Sequence, residues 1–175
     1  MRCQKRPYFL SVIGLLLGVF VTGSCYGADP APEKYRIGAI LPLSGSAASL
    51  GGYLKKGLDL AYQRLPKEKQ DRIELIYEDD QLQSTKSVSA FQHLKSQQNI
   101  KAVFVLGSGI GNALAPIAEK SETILVAIGA SDGGIARDRK YAFVHWVTPE
   151  VEASKMAEEI KKRNYKKLSI VSTEQ

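Results

Sequence analysis

Apolar and polar positions follow two periods along this chain, and the periods take turns. Tyr35–Leu41 is a short, mostly apolar run of the kind that forms a strand. Leu50, Leu54, Leu58, Ala61 and Leu65 then recur at helical spacing, which predicts an amphipathic helix over about residues 50–65. Arg72–Glu78 alternates like a strand. Ser84 or Thr85 can cap a helix that runs to about Ser96 and buries Val88, Phe91 and Leu94. Lys101–Leu106 and Thr123–Ile128 are short apolar runs that predict buried strands, and Ile110, Leu114, Ile117 and Ala118 mark a helix between them. Tyr141–Val147 predicts a fifth strand. Thr148-Pro149-Glu150 opens a further helix, with Thr at the cap, Pro at the first position and acids in the first turn, ending near Asn164. Lys167–Ser172 predicts a last strand.

Repeated strand–helix units imply an α/β fold, a doubly wound parallel sheet with helices on both faces. Ligands of such sheets bind at the carboxyl ends of the strands, near the switch in strand order. The loops that matter are therefore Pro42–Ser49, Glu78–Gln83, Gly107–Gly111 and Gly129–Gly134.

The first residues change the picture of where the protein works. Arg2, Lys5 and Arg6 precede an apolar run from Tyr8 to Val21, which is too short for a comfortable membrane span. This reads as a signal peptide over 1–27, followed by a Pro-rich leader over 28–34 that is expected to be disordered. Cleavage near Gly27–Ala28 is expected. The alternative is lipoprotein processing at Cys25, which would tie the protein to a membrane. Cys3 and Cys25 are the only cysteines, so a chain starting near Ala28 has no disulfide.

The formal charge of +6 rests on 24 basic and 18 acidic residues. Setting aside Arg2, Lys5 and Arg6 leaves 21 basic against 18 acidic residues, a net charge of +3. No basic stripe or arm accompanies it, so nucleic acid is not an expected partner. Lys161, Lys162, Arg163, Lys166 and Lys167 form one local basic run, read as a solvated helix end where cations suit the dipole.

Gly107-Ser108-Gly109-Ile110-Gly111-Asn112 follows a predicted strand and opens a helix. Its glycines let a ligand approach the backbone, free N–H groups at a helix start favour an anion, and Ser108 adds a hydroxyl. A tight turn without a ligand fits equally well. The dinucleotide fingerprint fails on spacing, because Asn112 stands where its third glycine belongs. Gly129-Ala130-Ser131-Asp132-Gly133-Gly134 is a second small-residue loop at a strand end, with a flexible surface loop as the bland reading. Glu78-Asp79-Asp80 lacks a nearby histidine or second acid cluster, so capping or a solvated turn is expected rather than a metal site. His93 is expected on an exposed helix face. Of His145 and Trp146, adjacent in a strand, one is expected in the core and the other at the cleft or surface. There is no nucleophile with a matched base and no zinc spacing, so neither enzyme activity nor a cofactor is expected.

Ile37-Gly38-Ala39-Ile40-Leu41-Pro42-Leu43-Ser44-Gly45, with Leu50-Gly51 and Gly57 in the following helix, resembles the start of the branched-chain amino acid binding protein family. These are type I periplasmic receptors of ABC importers, leucine-binding proteins among them. The likeness runs on through Glu78-Asp79-Asp80, Leu106-Gly107-Ser108-Gly109, Ala115-Pro116-Ile117-Ala118-Glu119 and Gly129-Ala130-Ser131. It implies two doubly wound lobes with an amino-acid-like solute clamped between them, and an ABC permease as partner. It also implies ligand-binding positions. Ser108, beside Gly109, would donate to the ligand carboxylate. Gly129 would take the amino group through its carbonyl, and Ser131, next to Ala130, the carboxylate through its hydroxyl. Some members carry an aromatic residue before the glycine that Gly51 matches; here it is Leu50. An arginine is common where His145 falls.

On this reading residues 35–148 form the ligand-binding first lobe and 149–175 the start of a truncated second lobe. The expected function is a periplasmic solute receptor. The alternative is an envelope module of the same fold that regulates cell-wall synthesis.

Overall fold

β-Branched and leucine-rich runs become five parallel strands in the computed structural model, which describes residues 34–171. The signal peptide over 1–27, the choice between cleavage and lipidation at Cys25, and all but the last residue of the 28–34 leader lie outside the described residues. The elements in order are β1 (Tyr35–Leu41), α1 (Ala48–Gln63), α2 (Lys67–Gln70), β2 (Ile73–Asp79), α3 (Ser84–Gln98), β3 (Ala102–Leu106), α4 (Ser108–Lys120), β4 (Ile124–Ile128), a 3₁₀ turn (Gly133–Ile135), β5 (Ala142–His145) and α5 (Pro149–Lys162). The strand order is β2-β1-β3-β4-β5. The order reverses at β1, which lies between β2 and β3, so the carboxyl ends of β1 and β3 flank the expected ligand position.

Alternation along the strands sorts their side chains to two faces. Val103, Leu125 and Ala142 are in register across β3, β4 and β5 and are buried, as are Val105 and Ala127. They meet Phe91 and Leu94 of α3 and Ile110, Leu114 and Ala118 of α4 in the hydrophobic core. Gly38 of β1 lets Leu94 close in; a β-carbon there would lie 2.9 Å from Leu94 Cδ1.

The opposite face is covered over β1 and β2 by α1. Tyr77 of β2 donates from its hydroxyl to Asp59 of α1 at 2.6 Å, Lys55 donates to the same carboxylate at 2.7 Å, and the Lys55 ammonium sits 4.3 Å from the Tyr77 ring centre. Over β3–β5 no described helix packs on this face. Phe104, Val126 and Phe143 lie side by side across the three strands, and Phe143 is 50% and Ile124 43% exposed. The expected α/β fold, a parallel sheet with helices on both faces, is therefore present; on this second face the described helices cover β1 and β2.

Several local expectations shift. Gln83 is the residue before α3, and neither Ser84 nor Thr85 caps it; both lie inside the helix, whose first turn is held by Ser87 N–H to the Gln83 carbonyl. Val88 is half-buried, with Ser87 and Ala90 buried instead. The helix ends at Asn99, whose left-handed φ of 49° closes it. His145 and Trp146 are both exposed, because β5 lies at the sheet edge beside the uncovered face. Lys167–Val171 forms no strand and is exposed throughout, having no described strand beside it to pair with; Ser172 lies outside the described residues. Among the described residues no helix is long and apolar enough to cross a membrane.

Candidate functional site

The carboxyl end of the sheet is built from four loops, and three carboxylates fix them in place. Asp79, the last residue of β2, accepts from the N–H of Leu43 at 2.8 Å, of Ser44 at 3.2 Å and of Gln81 at 3.0 Å, and from the Ser44 hydroxyl. The Ser44 hydroxyl and these amides hold its carboxyl below the usual range. Asp80 is buried, accepts from Leu82 N–H at 2.9 Å and from the Ser87 hydroxyl at 2.7 Å, and anchors the next turn. Directly after them Gln81 and Leu82 adopt left-handed φ values of 53° and 59°, a conformation that side chains resist and that these two carboxylates stabilise. Glu78 pairs with His93 of α3 at 2.9 Å. Asp79 and Asp80 are thus spent on turn geometry and Glu78 on the ion pair with His93; no group of three metal-ligating side chains occurs among the described residues.

The first loop meets α1 at Gly51. A β-carbon there would lie 2.1 Å from the Pro42 carbonyl oxygen, so only glycine permits this approach of helix to loop. Leu50, one residue earlier in the first turn of α1, is 55% exposed and presents an apolar side chain at this end of the sheet.

The third loop is shorter than its glycine-rich sequence suggests. Gly107, with φ of 83°, is the whole turn, and α4 starts at Ser108. Gly111 N–H makes the first helical bond, to the Gly107 carbonyl, at 3.0 Å. The amides of Ser108, Gly109 and Ile110 precede that bond and have no helical acceptor, and no side chain caps this helix start. Gly111 is buried against the 3₁₀ turn, where a β-carbon would lie 2.7 Å from Ile135 Cδ1.

The fourth loop folds against this helix start. Ser108 Oγ accepts from Ser131 N–H at 3.2 Å and from Asp132 N–H at 3.4 Å. An oxygen that accepts these bonds keeps its own O–H free to donate. Asn112 donates to Asp132 at 2.7 Å, and Asp132 in turn accepts from Gly134 N–H at 2.7 Å. The Asn112 amide first, and then the Gly134 N–H, hold the Asp132 carboxyl below its usual range. Gly129 has a left-handed φ of 57° and is exposed, while Ala130, expected among the ligand-binding positions, is fully buried in the core and offers no accessible surface.

The structure therefore brings Ser108 and Ser131 together directly, with Gly109 beside one and Gly129 and Ala130 beside the other. Leu50 lies on the neighbouring β1–α1 corner, with no hydrogen-bonded link to them. The Asn112–Asp132 pair and the Asp79 clasp are the parts sequence reading missed. A groove of about 410 Å³ runs from Ser131 through Gly133 and Gly134 to Arg137 and Thr148–Glu150, where the chain leaves the sheet. A second groove, about 440 Å³, lies between β2 and α3 and is lined by Glu78, Asp79, Lys86 and His93, beside the second of these loops.

A family model described as periplasmic binding protein matches residues 34–175. No curated protein sequence matches the chain. Among solved structures, a leucine binding protein of Thermotoga maritima is 21% identical, with a TM-score of 0.66 over 74% of this chain and 37% of that one. A branched-chain amino acid transporter substrate binding protein of Streptococcus pneumoniae, solved with isoleucine, is 24% identical, with a TM-score of 0.61 over 66% of this chain and 34% of that one. A solute binding protein of an ABC transporter from Rhodopseudomonas palustris, solved with 3,4-dihydroxybenzoic acid, is 18% identical, with a TM-score of 0.65 over 74% and 36%. This chain thus spans little more than a third of the length of each of these proteins.

Proposed function

This chain belongs to the periplasmic binding protein family, and from that premise we propose that it carries the first-lobe half of a solute site in an ABC-importer receptor. The solute we infer is a branched-chain amino acid or a similar amino-acid-like molecule. Family members work outside the cytoplasm, which agrees with the signal-like first 27 residues and with an ABC permease as the partner. Membrane attachment belongs to this reading only if Cys25 is lipidated.

One observation carries the proposal. The two small-residue strand ends converge on a single oxygen, Ser108 Oγ, which accepts from the Ser131 and Asp132 amides. That leaves one hydroxyl proton, the Ser131 hydroxyl and three unpaired amides of an uncapped helix start at the same corner. A carboxylate fits such a set of donors, because each bond to it is charge-assisted and the helix dipole adds to them. The Gly129 carbonyl, bared by a left-handed turn, suits a ligand ammonium. Leu50 offers an apolar contact for the ligand's side chain. The neighbours solved with isoleucine and with a dihydroxybenzoate share a carboxylate and differ in everything else, so the carboxylate is the best supported part of the ligand.

The test is a thermal-shift screen of amino acids and aromatic acids on the protein, followed by titration of Ser108→Ala and Ser131→Ala. Each change is expected to weaken binding about tenfold, the loss of roughly one charge-assisted bond, with little effect on the melting temperature of the free protein. Parental affinity in both variants would place the ligand elsewhere.

A further inference from the structure

The Ser108 corner carries a charge of its own, and the fold fixes its place from two sides. Ser108 and Asn112 share a face of α4, and the fourth loop bonds to both of them. Asp132 N–H donates to Ser108 Oγ at 3.4 Å, so the Asp132 carboxylate, three bonds further on, stays close to that hydroxyl. The Asn112 amide donates to its Oδ2 at 2.7 Å and Gly134 N–H to its Oδ1 at 2.7 Å. Both donors are neutral, so they orient the carboxylate and leave its charge whole. The Asn112 amide first, and then Gly134 N–H, also hold its carboxyl below the ordinary value, which keeps it anionic at neutral pH. The groove that starts at Ser131 runs past this carboxylate to Arg137 and Glu150, two acids against one base. A corner of hydroxyl and amide donors thus opens onto a surface of net negative charge.

We propose that Asp132 is a specificity-determining residue of this corner, whose carboxylate selects zwitterionic α-amino acids over plain carboxylic acids. The inference rests on the solute corner proposed above and narrows its ligand class. In an α-amino acid the ammonium is on the carbon next to the carboxylate. A ligand carboxylate at the Ser108 and Ser131 hydroxyls therefore brings its ammonium into the neighbourhood of Asp132, where the unlike charges attract. A plain acid brings only negative charge to the same place and is repelled. Near a protein surface one charge pair at close range alters an affinity about fivefold to tenfold, and salt weakens the effect. Ser108 and Ser131 are neutral donors and treat the two kinds of acid alike, so the discrimination falls to Asp132.

The test is an amide NMR titration of the full chain with L-leucine and with isocaproate, which is leucine without its amino group, followed at Ser108, Ser131 and Asp132. The parent is expected to prefer leucine. D132N keeps the shape and removes the charge; it should weaken leucine and strengthen isocaproate, lowering the ratio of the two affinities about tenfold at low salt. D132E keeps the charge and should keep the preference. S108A should weaken both acids by the same factor. If S108A does so while D132N also shifts both acids equally, Asp132 only shapes the loop, and the inference falls while the solute corner stands. A parent without preference for leucine, or a D132E chain that loses the preference as fully as D132N, overturns it in the same way. If S108A leaves both affinities at the parental value, or neither acid moves these amides, the corner itself is misassigned and the inference falls with it.

Discussion

Gly51 and Gly52 are neighbours in one turn of α1, and the fold treats them differently. A β-carbon at Gly51 meets the Pro42 carbonyl oxygen at 2.1 Å, and backbone cannot step aside cheaply; at Gly52 it meets nothing within 4 Å. Gly52→Ala should therefore stabilise the protein by up to about 1 kcal/mol through helix propensity. Gly51→Ala should destabilise it by about 1–3 kcal/mol, the usual range for overpacking. Urea denaturation of the two variants checks the contrast. Glu119 makes a comparable point about charge. Its carboxylate accepts from Lys140 N–H at 3.0 Å and Tyr141 N–H at 2.9 Å, fastening the end of α4 to the start of β5. The Tyr141 amide first, then that of Lys140, hold its carboxyl below the ordinary value of 4.5. A carboxyl depressed by folding contributes stability above its unfolded value, and the contribution is lost as pH falls through the folded one. Glu119→Gln is therefore expected to lower the melting temperature at neutral pH, and the two proteins should converge in acid. A difference that stays constant however far the pH falls below the ordinary value would contradict this account. Glu119 was legible as part of a family-like motif, but its role was not, because its partners are more than 20 residues away.

Strands and helices were legible because burial imposes period: Val103 and Val105, or Leu114 and Ala118, announce their elements by spacing alone. The last predicted strand was equally apolar in part, yet a strand exists only by pairing, and residues 167–171 have no described neighbour. Helix starts were read less well. Ser84 and Thr85 have the chemistry of caps, but the buried Asp80–Ser87 bond sets where α3 begins. At α5 the pattern was right in register, with Thr148 before Pro149 and Glu150 and Glu152 in the first turn, and still no burial follows. Local propensity can start such a helix but cannot hold it, since an isolated helix of this length is marginal in water. Amide hydrogen exchange should therefore be fast over 149–162 in dilute protein and slow over 103–105. Protection of α5 equal to that of 103–105 would show that the helix is held by tertiary contacts after all.

At the scale of the whole molecule, the parallel fold and its strand-end loops were legible, and the bare half-face over β3–β5 was not, because spacing within a strand does not say which element lies over it. Gly129, Ala130 and Ser131 were readable as a loop, but their meeting with Ser108 depends on β3 and β4 being neighbours. On the proposed function, the described residues supply one side of a solute site. Micromolar affinity needs about 8 kcal/mol, and two or three charge-assisted bonds at roughly 1.5–3 kcal/mol each fall short once the cost of association is met. Calorimetry on this 175-residue chain is expected to find binding no tighter than about millimolar; a micromolar constant would mean that one lobe suffices. The position of β1 has a consequence of another kind. It is the first of the described strands in chain order and sits inside the sheet, pairing Tyr35 with Ile73 on one side and Ile37 with Ala102 on the other. Its second edge must wait for a partner some 65 residues further along the chain. Such long-range parallel closure is slow, on the order of milliseconds to seconds. For a family whose members work outside the cytoplasm, slow closure of this kind favours a polypeptide that is still threadable when it meets a membrane.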